Sequence, residues 1–189
     1  MTGLTTLEWK NNCVKIIDQN SLPQKLEYVY LRTLRGLWKA IKTIQVRGAP
    51  ALAAAAGLGV YLGVKDSRAK DFKGLSREID KAVRYLSSAR PTARNLFWAL
   101  ERMCSVAVAN RHAPVADIKR SLFKEAQKII SEDRVSCRRI AGFGAKLVKN
   151  NAAILFHNNQ LTLFCLVINL EKQNLLLLQI SYLMYHLIP

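Results

Sequence analysis

The sequence predicts a mainly α-helical domain with a small β element at its start. Three observations lead there. Apolar residues recur at helical spacing in successive stretches after residue 27. The run Pro50 to Val64 is almost wholly apolar, as a buried helix is. A short, weakly alternating segment stands near the start, between asparagine-rich turns.

In chain order, Val14-Lys15-Ile16-Ile17 lies between Asn11-Asn12 and Asp18-Gln19-Asn20 and predicts a short strand or hairpin. From Glu27 to Ile44, Leu31, Leu34, Trp38 and Ile41 predict a helix. The buried helix from Pro50 follows, and its alanines, Gly57 and Gly59 admit close neighbours. Ile79, Val83 and Leu86 share one face of a helix over 75–86. Pro91 to about Ala109 presents Leu96, Leu100 and Met103. Pro114 opens the last helix, with Val115, Ile118, Leu122, Ala126 and Ile129 on one side; it runs to Lys149 or bends near Gly142. Ala152 to Phe156 reads as the first strand of a second domain.

Two segments carry chemistry. In Val46-Arg47-Gly48-Ala49-Pro50 an arginine and a glycine precede a proline-opened helix. Proline at a helix start needs no N–H partner, and glycine lets a ligand approach the backbone. Unpaired N–H groups, the positive end of the helix dipole and Arg47 together suit a phosphate. The alternative is an ordinary helix start with a solvated arginine. Arg90-Pro91-Thr92-Ala93 repeats the device. Two guanidinium groups, each able to grip a phosphate by parallel hydrogen bonds, would then serve one anion if the fold brings them together.

With the following Asn95-Leu96-Phe97-Trp98-Ala99, these segments resemble the 5-methylthioribose-1-phosphate isomerases of methionine salvage. That superfamily also holds ribose-1,5-bisphosphate isomerases and regulatory subunits of a translation initiation exchange factor. Leu7-Glu8-Trp9-Lys10, Ile16-Ile17-Asp18-Gln19, Leu22-Pro23, Glu132-Asp133, Ile140 and Gly144-Ala145 fit the same pattern. The resemblance covers roughly residues 4 to 157. It implies the N-terminal helical domain of a two-domain α/β protein and an aldose–ketose isomerase. It also implies a phosphorylated sugar as substrate and a homodimer. The implied substrate-binding residues are Arg47, Gly48, Ala49 and Arg90. No cofactor and no metal is implied.

The motif then breaks. The chain reads Ile154-Leu155-Phe156-His157-Asn158-Asn159, and the family's catalytic cysteine would fall at Asn158. The family's catalytic aspartate lies further on, so no residue here is assigned to catalysis. Cys165 is near but outside the motif. Composition shifts at the same place. Residues 152–189 hold only Glu171 and Lys172 as charged side chains and lack glycine, so the net charge of +16 resides in residues 1–151. The leucine-rich tail reads as core strand and helix, as an anchor broken by polar residues, or as translation in a wrong frame. The last is favoured. The organisation expected is thus a helical domain over 1–151 and an aberrant apolar tail over 152–189. The expected function is a truncated isomerase without useful activity. A non-catalytic assembly module and a ribose-1,5-bisphosphate isomerase-like protein are the alternatives.

Other features are weaker guides. Lys65, Arg68, Lys70, Lys73, Arg77, Lys81 and Arg84 alternate with Asp66, Asp71, Glu78 and Asp80, the pattern of solvated helix faces. No nucleic acid is therefore expected as a partner, and no membrane either, since Glu171, Lys172, Asn169, Gln173 and Asn174 break the apolar tail. Cys13, Cys104, Cys137 and Cys165 are widely spaced and form no C-x-x-C pair. With a start that lacks the marks of a secretory signal, this suggests the cytoplasm. His157 stands far from His112 and His186 and reads as structural. Glu132 and Asp133, adjacent on a helix, point apart and suit capping, salt bridges or an interface better than shared proton transfer.

Overall fold

Asn11 and Asn12 both lie in the left-handed backbone region, with φ of 51° and 58°. Asparagine tolerates that region, and two such residues in succession make a turn whose twist suits a hairpin. In the computed structural model, which describes residues 5–22, 24–147, 153–156 and 176–179, this turn joins β1 (Leu7–Lys10) to β2 (Cys13–Ile17). β3 (Tyr28–Leu31) pairs antiparallel with the other edge of β2, so the order is β1-β2-β3. Cys13, Val14, Ile16 and Ile17 of the central strand are all buried.

The helix expected over 27–44 is corrected here. Tyr28-Val29-Tyr30-Leu31 is strand, and α1 covers only Leu34–Lys42. Aromatic and β-branched residues suit a pleated surface, and Thr33 stops any helix from beginning earlier. Its hydroxyl accepts from the Gly36 N–H and caps α1. Leu31 merely falls in phase with the helix that follows it.

α2 (Ala49–Val64) is central. It is apolar on every side, so only neighbours all round can cover it. α1, α3 (Phe72–Ser87) and α4 (Arg94–Ala109) supply most of that cover. α5 (Val115–Leu147) adds Ile118, Leu122, Ala126 and Ile129. Trp9 of β1 meets Tyr61 of α2 and Phe123 of α5 edge-on, at ring separations of 5.2 and 5.7 Å, and so fixes the sheet to the helices. Lys119 donates to the Lys65 and Ser67 carbonyls past the end of α2, where a cation is favoured.

Thr5–Asp133 forms one compact unit, and α5 runs on from it into a second. There β4 (Ala153–Phe156) pairs in parallel with β5 (Leu176–Gln179), Ala153 standing opposite Leu176. The strand expected at 152–156 is present to within one residue. Parallel pairing needs a connection of a dozen or more residues, and 157–175 have that length. His157, Asn158 and Cys165 lie outside the described residues. α5 continues through Gly142 without interruption.

Arg102 staples α4 to α5. Its Nε donates to Glu125 at 2.5 Å, and its two terminal nitrogens donate to the two oxygens of Glu132 at 2.5 and 2.9 Å. Glu132 thus has the salt-bridge role. Its hydrogen bonds with Arg102 hold its carboxyl below the usual range, and the same pair holds the Arg102 guanidinium protonated.

Two predictions follow from this packing. A Cβ on Gly59 would lie 2.8 Å from Leu86 Cδ1 and 3.0 Å from Leu37 Cδ2, both on fully buried side chains, whereas one on Gly142 meets nothing within 4 Å. Gly59→Ala should therefore lower stability by about 1–2 kcal/mol even after its gain in helix propensity, and Gly142→Ala should leave it equal or raise it by up to about 1 kcal/mol. Urea midpoints that shift the same way for both would contradict this. The second concerns acid. A carboxyl lowered on folding stabilises fully above the ordinary glutamate pKa of about 4.3 and stops doing so as pH falls through its lowered value. Glu132→Gln should flatten the loss of stability below about pH 5 relative to the parent chain, measured by thermal melting across pH.

Candidate functional site

Two loops meet at the head of α2. One follows β2 and contains Asp18, Gln19 and Asn20; the other joins α1 to α2 and contains Ile44, Gln45, Val46 and Arg47. Asp18 makes the first loop turn sharply, since its side chain accepts from the Asn20 N–H at 2.9 Å. In the second loop Ile44 is held at φ 63°, a strained setting for a β-branched residue. Val46 is buried there, and its N–H returns to the Ala40 carbonyl at 3.2 Å.

The loops are laced together across 23 to 28 residues. The Gln19 N–H donates to the Gln45 carbonyl, and Gln19 Nε2 donates to the Arg47 carbonyl at 3.3 Å. Gln45 Nε2 donates to Asp18 at 2.8 Å, and Asn20 Nδ2 to the Thr43 carbonyl at 2.9 Å. One terminal nitrogen of Arg47 donates to the Gln19 carbonyl at 2.9 Å and to Asn20 Oδ1 at 3.1 Å. Arg47 Nε is buried and has no acceptor. A buried donor without a partner costs about 1–3 kcal/mol, which a bound acceptor would recover.

Gly48 is the N-cap residue of α2, at φ 92° and ψ 134°. Glycine alone takes that geometry without strain. No side chain caps α2, and no acidic residue stands in its first turn. Its N-terminus therefore keeps donors and positive dipole unopposed beside Arg47. Arg47, Gly48 and Ala49 accordingly share one corner.

Arg90 stands elsewhere in the chain path, and the repeated device differs in structure. Pro91 does not open α4. The Ala93 N–H donates to the Arg90 carbonyl at 3.1 Å, so Arg90-Pro91-Thr92-Ala93 is a turn with proline at its second position, and α4 begins at Arg94. α4 also lacks a side-chain cap. An open groove of ≈ 590 Å³ lies at its head, lined in part by Thr92, Arg94, Asn95 and Trp98. By contrast α1 and α3 are capped, by Thr33 and Asp71. The two helices that follow an arginine motif are thus the two left open among these four.

Sequence reasoning missed Gln19 and Asn20 as the residues that hold Arg47. The polar run after a strand was visible, but pairing with a loop so far along the chain leaves no local mark. Other chemistry is sparse. Burial chiefly, with help from Asp80 and Glu101, raises the Cys104 thiol above its ordinary pKa, which disfavours a thiolate. Among the described residues no cluster of His, Cys, Asp and Glu is placed to hold a metal. None of the described helices is long and apolar enough to cross a membrane.

Comparison with known proteins shows what the chain is similar to. The chain is 45% identical over 160 residues to the 5-deoxyribose 1-phosphate isomerase of Moorella thermoacetica, covering 85% of this chain and 46% of that one. It is 42% identical over 153 residues to the methylthioribose-1-phosphate isomerase of Symbiobacterium thermophilum, covering 81% and 43%. It therefore spans about half the length of the curated relatives it matches. Among solved structures it is similar to the delta subunit of translation initiation factor eIF-2B from A. fulgidus, with a TM-score of 0.81 and 31% identity over 93% of this chain and 54% of that one. It is likewise similar to the 5-methylthioribose 1-phosphate isomerase of Pyrococcus horikoshii OT3, with a TM-score of 0.77 and 29% identity over 92% and 59%. The model of the initiation factor 2 subunit family matches residues 45–178, from the Arg47 loop to a point well beyond the motif break at Phe156, and the chain belongs to that family.

Proposed function

We propose that this chain carries the phosphate-gripping helical domain of an isomerase acting on ribose 1-phosphates that lack a free 5-hydroxyl. The observation that carries the reading is the buried Arg47 Nε without an acceptor, beside the uncapped start of α2. A phosphate there would accept from the guanidinium and from the N–H groups after Gly48. The relatives' names supply the rest: 5-deoxyribose 1-phosphate and methylthioribose 1-phosphate share the anomeric phosphate and differ at C5. 5-Methylthioribose 1-phosphate, the substrate of methionine salvage, is the member of this class that the motif resemblance favours.

A phosphate on the anomeric oxygen blocks ordinary ring opening. Isomerisation to the 1-phospho-ketose needs an acid at the ring oxygen and transfer of hydrogen from C2 to C1. Arg47, Gly48, Ala49 and Arg90 would hold the phosphate and so orient the sugar for groups placed elsewhere. Asn158 stands where the family resemblance puts the thiol. An amide transfers no proton usefully near neutral pH, and loss of one acid–base group lowers rate by roughly 10²–10⁴-fold. This chain therefore binds the sugar phosphate without useful turnover in this reading. Likeness to an initiation-factor subunit supports a second reading, a non-catalytic module of the same family.

Calorimetric binding of both sugar phosphates, with product formation followed by NMR, tests this. Binding should require the phosphate, weaken at least tenfold in Arg47→Ala, weaken less in Arg47→Lys, and yield no product. Circular dichroism of each variant separates lost binding from lost fold. Unchanged binding by a folded Arg47→Ala would overturn the site. Robust turnover would overturn the non-catalytic assignment.

A further inference from the structure

The basic and acidic residues that alternate along the sequence do not alternate on the surface. On α3, Lys73, Arg77, Lys81 and Arg84 are all exposed and follow one another at intervals of four, four and three residues. That spacing puts them on one stripe of the helix, rising about 6 Å per four residues. On α1, Arg35, Lys39 and Lys42 are exposed at intervals of four and three and form a second stripe. α1 contains no carboxylate. None of these seven cations is engaged in an ion pair among the described residues.

The two stripes flank a shared aromatic floor. Trp38 of α1 and Tyr85 of α3 stack at a ring separation of 5.4 Å and an interplanar angle of 25°. Trp38 Nε1 donates to Ser88 Oγ at 2.9 Å, which pins the two helices at this point. At 100° per residue, Trp38 lies between the buried Leu37–Ile41 face of α1 and its basic stripe. Tyr85 likewise lies between the buried face of α3, with Ala82 and Leu86, and its basic stripe. Both rings are half-buried. The carboxylates of α3 that border this surface are Glu78, half-buried on the core side, and Asp80, exposed on the far side of the stripe.

We propose that the α1–α3 face binds single-stranded nucleic acid, its phosphates running between the two basic stripes and its bases meeting the Trp38–Tyr85 rims. Unpaired cations along a track beside partly exposed aromatic rings are the physical requirement for such a strand. A membrane surface is the poorer fit, because no large apolar side chain crowns either stripe. This departs from the expectation drawn from the linear sequence and is independent of the sugar-phosphate site at α2.

The test is fluorescence anisotropy of a labelled uridine-rich RNA oligomer titrated with the whole chain at several salt concentrations. Affinity should fall with salt at a log–log slope of about −3.5 to −5, as expected for five to seven phosphate contacts at about 0.7 each. Arg77→Gln with Lys81→Gln should weaken binding at least tenfold and reduce the slope by about 1.4. Arg120→Gln with Lys124→Gln on α5 removes the same charge elsewhere and should change affinity less than threefold. Equal weakening by both pairs would show a diffuse charge effect and overturn the site. Equal affinity for a duplex of the same length would overturn the single-strand assignment. Failure to bind at 50 mM salt, or tighter binding to anionic lipid vesicles than to RNA, would overturn the proposal outright.

Discussion

A 16-residue helix with no polar face sets the terms for the rest of this molecule. α2 cannot rest on a surface, because it offers water nothing along its length. It must be enclosed, and each surrounding element buries its apolar side against it. Small residues make the enclosure tight: Gly59 lets Leu37 of α1 and Leu86 of α3 approach at the same place. An enclosed helix is accessible to solvent only at its ends. At its C-terminal end Lys119 meets the backbone carbonyls. At its N-terminal end no side chain caps the N–H groups, and Arg47 stands directly before the helix.

That asymmetry links packing to chemistry. Replacing a capping side chain by one that cannot cap costs about 1 kcal/mol, and α1 and α3 both use one. α2 instead begins at a glycine in a conformation closed to other residues, next to a strained Ile44 and a guanidinium with one unsatisfied nitrogen. Each is a small destabilisation, and they occur within five residues. The Gln19 and Asn20 hydrogen bonds that hold this loop show that its shape is enforced rather than slack. A loop held rigid in this way keeps the Arg47 guanidinium and the uncapped N–H groups of α2 fixed in place, as pre-organisation for an acceptor requires.

Much of the fold was legible in the chain. Asn11-Asn12 announced the hairpin, the apolar run announced α2, and the periodicity of 75–86 and 115–129 placed α3 and α5. The failures, a strand read as part of a helix and a turn read as a helix start, have physical causes. Leu31 fell in phase with α1 but faces the core from β3, because a strand and a helix can present one apolar residue to the same core. Pro91 signals a helix start or the second position of a turn equally well, and the Ala93-to-Arg90 hydrogen bond decides for the turn. Of the candidate site, Arg47 and Gly48 were legible because their roles are local. Gln19 and Asn20 were not, since their partners lie in a loop 23 to 28 residues away.

Charge shows the same limit from the other side. Along the sequence, Lys73, Arg77, Glu78, Asp80, Lys81 and Arg84 read as a balanced mixture. The helix sorts them, because positions four apart share a side while adjacent positions do not. The exposed cations of α3 then line up, Glu78 turns toward the core, and α1 adds cations without any acid to offset them. A net charge of +16 could be spread evenly and act only as a weak long-range attraction for anions. Sorted onto two helices that meet at a stacked tryptophan and tyrosine, part of it becomes a directional feature instead. The same helical geometry that buries the apolar residues around α2 therefore also fixes where the excess charge must lie, on the outer faces of the helices that enclose it.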